Sequence, residues 1–216
     1  MAVQLPNGSI LEIAATYSPL VDIGTLSNAD PGVAAVTGSH GFATGDFVEV
    51  TSGWSRLTDR IFRTGTVAGD NVPLEGVDTT STTVFPAGQG VGTLREVLTW
   101  TQLQQILEIT TDGGEQQFLT YQFLESDAQK RIPTFKNPSG VTLLVADDPT
   151  LAGYLLASEA NDDRQPRAVR LTLPGGSIIL MNAYITLNKT PRLTINELMA
   201  VEVTLSLLAD PVRYAS

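Results

Sequence analysis

The sequence predicts a mainly β protein, an antiparallel β-sandwich or barrel with one packed α-helix and a long loop or arm. The C-terminal third carries most of that expectation. Residues 171–173, the turn Pro174-Gly175-Gly176, residues 177–187 and residues 198–207 read as strand, turn, strand, connection and strand. In the last of these Met199, Val201, Val203, Leu205 and Leu207 fall on one face, and Ala200, Glu202, Thr204 and Ser206 on the other. Alternation of period two over so long a run marks a strand with one buried and one polar face. The second observation is that helix-start signals occur convincingly at one place only, Asp148. The third is the density of Gly, Pro and Thr/Ser between short apolar runs, which suits many strands and turns.

Taken in order, Ile10-Leu11-Glu12-Ile13-Ala14, followed by Tyr17-Ser18-Pro19-Leu20, reads as an N-terminal strand or arm. Asp46-Phe47-Val48-Glu49-Val50 alternates between Gly45 and Gly53 and is a strand. From 53 to 92 the pattern weakens, with short strands at 60–66 and 72–74. The rest of that stretch is expected to be an extended excursion, and loops so long are usually functional or disordered. Its Trp54, Ile61, Phe62, Val84 and Phe85 imply that it finds a partner surface. Residues 94–110 and 115–124 are expected to form a hairpin about Thr111-Asp112-Gly113-Gly114, whose glycines accept positive φ. Residues 129–138 read as a basic, proline-marked connector, and 141–146 as a short apolar strand. The helix is expected to begin at Asp148 as N-cap with Pro149 in the first turn. Leu151, Tyr154 and Leu155 would share its buried face, and Asn161 marks its exit. No internal repeat or domain linker interrupts the chain, which reads as one domain over 1–216.

Composition narrows the function. A chain of 216 residues with 42% hydrophobic content can bury roughly 70–75% of its unfolded surface without a covalent staple. No window approaches the ~18 uninterrupted apolar residues of a membrane span. The N-terminus lacks the basic and apolar blocks of a signal peptide, so synthesis in the cytoplasm is the expectation. There is no cysteine, which removes disulfides, thiolate metal sites and cysteine nucleophiles. The formal charge is −10 and the isoelectric point near 4.4. Such a chain repels nucleic acid, and suits a surface that DNA slides past without sticking.

Catalytic and metal patterns are poorly matched, and neither a catalytic residue nor a cofactor is expected. Ser39 and the single histidine, His40, are neighbours and would face opposite ways in an extended segment. The carboxylate clusters (Glu115, Glu125 and Asp127; Asp147-Asp148; Asp162-Asp163) lack the sugar-stacking aromatics of a glycosidase cleft. Asp112-Gly113-Gly114-Glu115 is a turn, without the alternating acids of a calcium loop. Gly88-Gln89-Gly90-Val91-Gly92 is followed by no helix or acidic partner of a dinucleotide fold. Polar positions recur instead on strand faces, at Gln102, Gln104, Glu108, Gln116, Thr120 and Gln122.

Three runs carry a family resemblance. They are Thr37-Gly38-Ser39-His40-Gly41 with residues 45–54, Thr111-Asp112-Gly113-Gly114-Glu115-Gln116-Gln117-Phe118 with residues 121–125, and the ending 207–214. Together they resemble the major tail tube proteins of long-tailed, non-contractile phages, over nearly the whole chain. The resemblance implies a virion protein made in the host cytoplasm, with strands from several subunits joining into a barrel around a lumen. It implies hexameric rings stacked into a tube around a tape-measure protein, with tail terminator and distal tail proteins as further partners and DNA passing without specific binding. On that basis the excursion 53–92 is expected to reach the next ring through Trp54, Arg56, Arg60, Phe62 and Phe85. Glu108, Glu115 and Glu125 are expected to face the lumen. No C-terminal immunoglobulin-like domain is expected. Two other readings stay open: a tube protein of a contractile or secretion machine, and a carbohydrate-binding β-sandwich module of a tail fibre, which would want Trp54 exposed on a cleft.

Overall fold

The computed structural model describes residues 5–215. Along the chain run β1 (Ile10–Tyr17), β2 (Val21–Leu26), β3 (Val33–Thr37), β4 (Phe47–Ser52), β5 (Arg60–Arg63), β6 (Asn71–Pro73) and β7 (Gly92–Gln102). They are followed by β8 (Ile106–Gly113), β9 (Gln116–Tyr121), β10 (Lys130–Lys136), β11 (Ser139–Ala146) and α1 (Ala152–Asp163). The chain ends with β12 (Arg167–Thr172), β13 (Ile178–Arg192), β14 (Ala200–Leu207) and β15 (Val212–Tyr214). Thirteen strands join one antiparallel sheet along the path β6-β3-β2-β7-β1-β12-β13-β14-β11-β8, with β4, β5 and β15 attached at its sides. The two ends of the path do not meet, so the sheet is not a closed barrel. β9 and β10 form a separate two-stranded ribbon.

The sheet folds over two apolar cores. One gathers Val48, Val50, Trp54, Leu57, Phe62 and Leu94 from the β2–β7 half. The other gathers Leu11, Ile13, Leu143, Val203, Leu205 and Leu156 from β1, β11, β14 and the helix. β7 belongs to both halves: its first residues pair with β2 and β4, and its last with β1. Ala14, Ile61, Val97, Ala168, Leu180 and Tyr214 pack between them. A buried polar knot crosses the same junction. The Glu49 carboxylate accepts from Arg95 Nε at 2.6 Å and from Asn182 Nδ2 at 3.0 Å. Arg95 lies 4.1 Å over the Tyr17 ring, whose hydroxyl accepts from the Ala168 amide at 2.7 Å. A buried carboxylate is tolerated because it is paired and hydrogen-bonded.

Three expectations are corrected. The helix begins at Ala152, not at Asp148. The Asp148 carboxylate instead accepts from the Thr150 amide and hydroxyl, closing a turn ahead of the helix. Its buried face is Gly153, Leu156, Ala157 and Ala160, while Leu155 is exposed. The reason is close approach: a Cβ on Gly153 would stand 2.3 Å from the Gln102 carbonyl oxygen, so the helix turns its glycine face towards the end of β7.

The second correction concerns the hairpin. β8 pairs with β11, and β9 pairs with β10. Gly113 and Gly114 do take positive φ (72° and 75°), but they redirect the chain out of the sheet and do not fold β9 back on β8. The basic connector is a strand, β10, and its Pro133 is accommodated because this two-stranded ribbon consists only of edges. The third correction is the excursion 53–92, which is no extended arm. It contains β5 and β6 and buries Trp54, Leu57, Phe62, Val72, Leu74 and Phe85 in the subunit's own core.

Candidate functional site

The feature with most surface consequence is a four-strand panel, β13-β14-β11-β8. Its register aligns three rows across all four strands. Glu108, Leu144, Glu202 and Asn188 form the first, and Thr110, Thr142, Thr204 and Thr186 the second. Asp112, Gly140, Ser206 and Tyr184 form the third. Side chains alternate across a strand, so residues paired in register share a face. The opposite face carries Ile109, Leu143, Val203 and Leu187 in one row and Val141, Leu205 and Ile185 in the next, most of them in the core. One side of the panel is therefore apolar and buried, and the other is a polar wall of threonines and acids. Arg192 donates to the Glu202 carboxylate, so the uncompensated negative charge on the wall rests with Glu108 and Asp112. A shallow cleft lined by Glu108, Thr110, Thr142, Arg192 and Glu202 lies on it.

Both lateral borders of the panel lack a strand among the described residues. β8 pairs only with β11 and terminates the sheet path. Both of its faces are open to solvent, Leu107 and Ile109 included. On the other border β12 covers β13 only from Ile178 to Ala183, leaving its second half without a strand beside it. There the Leu187 amide donates to Asn161 Oδ1 of the helix at 3.2 Å. Edge strands carry unpaired donors and acceptors and invite pairing with another chain.

Two apolar projections leave the panel. The β9–β10 ribbon exposes Phe118, Leu119, Phe123, Leu124, Ile132 and Phe135. Leu119 stands opposite Ile132 on one of its faces and Phe118 opposite Pro133 on the other, and among the described residues nothing covers either face. The base is held by Lys136 Nζ to Asp210 Oδ2 at 3.0 Å and by Asn137 Nδ2 to Glu115 Oε2 at 3.4 Å. The second projection is the 193–199 connection between β13 and β14, which exposes Leu193, Ile195, Leu198 and Met199.

The structure distributes the sequence-selected residues unevenly. Glu108 stands on the polar wall. Glu115 and Glu125 are on the ribbon, exposed and away from the panel rows. Trp54 is 2% exposed, stacks edge-on against Phe85 at 5.2 Å and donates its Nε1 hydrogen to the Pro86 carbonyl oxygen at 2.9 Å. Phe62 and Phe85 are buried with it, so these three side chains face the subunit's own interior. Buried Trp54 offers no sugar-stacking platform. Arg56 and Arg60 reach the surface, with Arg60 donating to the carbonyl oxygens of Arg56 and Asp210 at 3.1 Å each. Both arginines line a cleft that also includes Lys136 and Asp210, and it therefore adjoins the ribbon base. Asp112 and Glu202 were missed as wall residues. The first reads as turn chemistry, while the second was visible as the polar half of an alternating strand.

His40 stacks on Phe42 at 5.1 Å, with Nε2 3.2 Å from the Gly69 carbonyl oxygen. No group of three or more His, Cys, Asp or Glu residues suited to a metal occurs among the described residues. Among the described residues no helix is long and apolar enough to cross a membrane.

The profile of the phage tail tube protein family matches residues 52–216. Among solved structures the chain is similar to one from the virion of a native gene transfer agent particle. That match has 10% sequence identity and a TM-score of 0.43, and covers 54% of this chain and 89% of that one. No curated protein matches the sequence. With more than half of its length matched by the family profile, the chain belongs to the phage tail tube proteins, structural and non-enzymatic components of the virion tail.

Proposed function

We propose that this subunit builds a closed ring by strand addition, with the edge of β8 in one copy pairing beside the second half of β13 in the next. The polar face of the panel then lines the conduit of a non-contractile tail tube. The observation that carries this reading is the three-row register, which gives one panel a continuous polar face bounded by two borders without strands. Four antiparallel strands per copy also fit the connectivity: β8 and β13 run in opposite directions, so a neighbour's β13 beside β8 continues the antiparallel pattern around the ring.

Glu108 and Asp112 make the inner wall repel the DNA backbone, because like charges confined in a narrow channel are poorly screened. Glu115 and Glu125, on the ribbon, extend that acidity only where the ribbon turns inward. Arg56 and Arg60 contribute to contact between stacked rings at the ribbon end of the subunit. Trp54, Phe62 and Phe85 hold that surface from beneath. The partners on this reading are further copies of the chain, hexameric rings being the arrangement the family resemblance suggests, together with tape-measure, tail terminator and distal tail proteins.

The chain has no cysteine, so introduced pairs report contacts cleanly. Cysteines scanned along β8 (Leu107, Ile109, Thr111) against β13 (Ile185, Leu187, Lys189) are expected to give circularly cross-linked oligomers when assembled particles are oxidised. Assembled tubes that yield no β8–β13 cross-link at any register would overturn the pairing. A second measurement addresses the wall. E108K with D112K should leave tubes intact and slow DNA ejection, and unchanged ejection would remove the repulsive role.

A further inference from the structure

In an antiparallel ladder each residue aims its N–H and C=O at the same neighbour, and successive residues alternate between neighbours. The Leu208 amide donates to the Asn182 carbonyl oxygen at 2.9 Å, so the even-numbered residues of β13 point their main-chain groups towards β14. The odd-numbered ones point towards β12, and past Ala183, where the cover of β12 stops, they point at the bare border. The register with β14 shifts after Asn188. Between those two limits Ile185 and Leu187 alone offer outward donors and acceptors to an incoming strand.

The last turn of α1 occupies that gap. Asn161 Oδ1 accepts the outward Leu187 N–H at 3.2 Å. Its Nδ2 donates to Asp162 Oδ1 at 3.0 Å, and Asp162 accepts from Lys189 Nζ at 3.1 and 3.2 Å. The helix therefore clasps the strand border at both Leu187 and Lys189. The clasp is built to be weak. An exposed lysine–carboxylate pair holds little, and carboxylates at a helix C-terminus oppose its dipole. This helix carries Asp162 and Asp163 in its last turn and no basic residue there. At the opposite border the Gly114 amide donates to the Pro138 carbonyl oxygen. Even-numbered residues of β8 thus face β11, and Ile109 and Thr111 point their main-chain groups away from the sheet. Strand addition needs both borders, so a cap on one is enough to restrain it.

We propose, resting on the ring reading above, that the last turn of α1 is an autoinhibitory cap on the β13 border. In the free subunit Asn161 satisfies the Leu187 donor and stands where the next strand must come. When a ring forms, a main-chain carbonyl of Ile109 or Thr111 in a second copy takes that N–H, and Asn161 is released to water. Bare strand edges pair indiscriminately. The cap makes pairing conditional on displacing one intramolecular hydrogen bond, worth about fivefold in the equilibrium.

The test compares full-length variants by electron microscopy and sedimentation across a concentration series. N161A should lower the concentration at which rings and tubes appear by about fivefold, and should speed hydrogen exchange at the Leu187 amide of the free subunit. N161D keeps an acceptor and should need at least as much protein as the wild type. D162N and K189Q leave Asn161 in place but loosen its support, and should act in the same direction as N161A with smaller effect. They carry the test if N161A does not fold. A residue that merely held the helix on the sheet would make N161A both less stable and no readier to assemble. That result, with β8–β13 cross-links still forming, overturns the cap and leaves the ring contact intact. Assembled tubes without such cross-links overturn both. If neither wild type nor any loosened variant assembles, the cap is not what holds the subunits apart.

Discussion

Residues 53–92 and residues 114–138 both leave the regular sheet, and they meet opposite fates. The first is rich in glycine and proline, yet the subunit takes it into its own core. The second is a regular hairpin with good strand geometry, yet its apolar side chains stay in water. Gly and Pro density therefore says little about whether a segment is ordered. What decides is whether the segment's apolar groups find uncovered apolar surface within the same chain. Trp54, Leu57, Phe62 and Phe85 find it between β4, β5 and the 53–92 backbone. Phe118, Leu119 and Phe135 do not, because the ribbon projects beyond the last row of the panel. The first region contributes to folding, and the second leaves its apolar groups in solvent.

The largest expected effect breaks the buried side of that contrast. Phe62 is 2% exposed and stands opposite Val48 in the β4–β5 pair. Phe62→Ala removes a ring and leaves a cavity, at a cost of about 3–5 kcal/mol. Equilibrium denaturation of the isolated subunit should show that loss in full, and assembly should fail only to the extent that the subunit unfolds. A variant with an unchanged denaturation midpoint would mean that the segment is held elsewhere.

A smaller effect sharpens the junction between the two halves. Burial, partly opposed by the hydrogen bond from the Ala168 amide and reinforced by Glu49, pushes the Tyr17 phenol from its ordinary value of 10.0 up to about 12. A folded-state value above the unfolded one stabilises below pH 10 and is lost as the pH rises through about 12, because the unfolded chain ionises first. Burial raises Tyr214 in the same direction. Alkaline titration should therefore unfold the subunit progressively across that window. Tyr17→Phe removes the acceptor for the Ala168 amide, costing about 1 kcal/mol at neutral pH, and should flatten the alkaline slope without abolishing it. An unaltered slope would assign the titration to Tyr214 and Tyr154, which are raised in the same direction.

The contrast also explains which parts of the fold were legible in the sequence. Alternation revealed β14 and β4, and Pro174-Gly175-Gly176 revealed the β12–β13 turn, because each signal is local. The partner of β8 was not legible. Gly113-Gly114 announces a change of direction, but turn chemistry does not say which strand lies beyond it. Helix phase is illegible because three of the buried residues, Gly153, Ala157 and Ala160, are small and carry little hydrophobic signal, so Leu155 and Leu156 compete for the buried position and only Leu156 takes it. The polar wall was half visible. Glu108 and the outward face of β14 could be read from alternation, but the rows that bring Thr110, Thr142, Thr204 and Thr186 together depend on a register fixed by tertiary pairing.

The exposed side of the comparison predicts the smallest change in stability joined to a large change in assembly. Phe118 is about half exposed and pairs across the ribbon with Pro133. Replacing it by Ser removes no core contact, so the subunit's denaturation midpoint should move by the equivalent of about 0.5 kcal/mol or less, as for other surface substitutions. If the ribbon orders against a second copy, the same side chain is buried in the stack. Its loss then recurs at every subunit contact, so tube yield should fall steeply while the monomer's melting curve hardly shifts. Measured side by side, the two curves separate the alternatives. A large stability loss would return the ribbon to the subunit's own fold, and an unchanged tube yield would leave its apolar face without an assembly role.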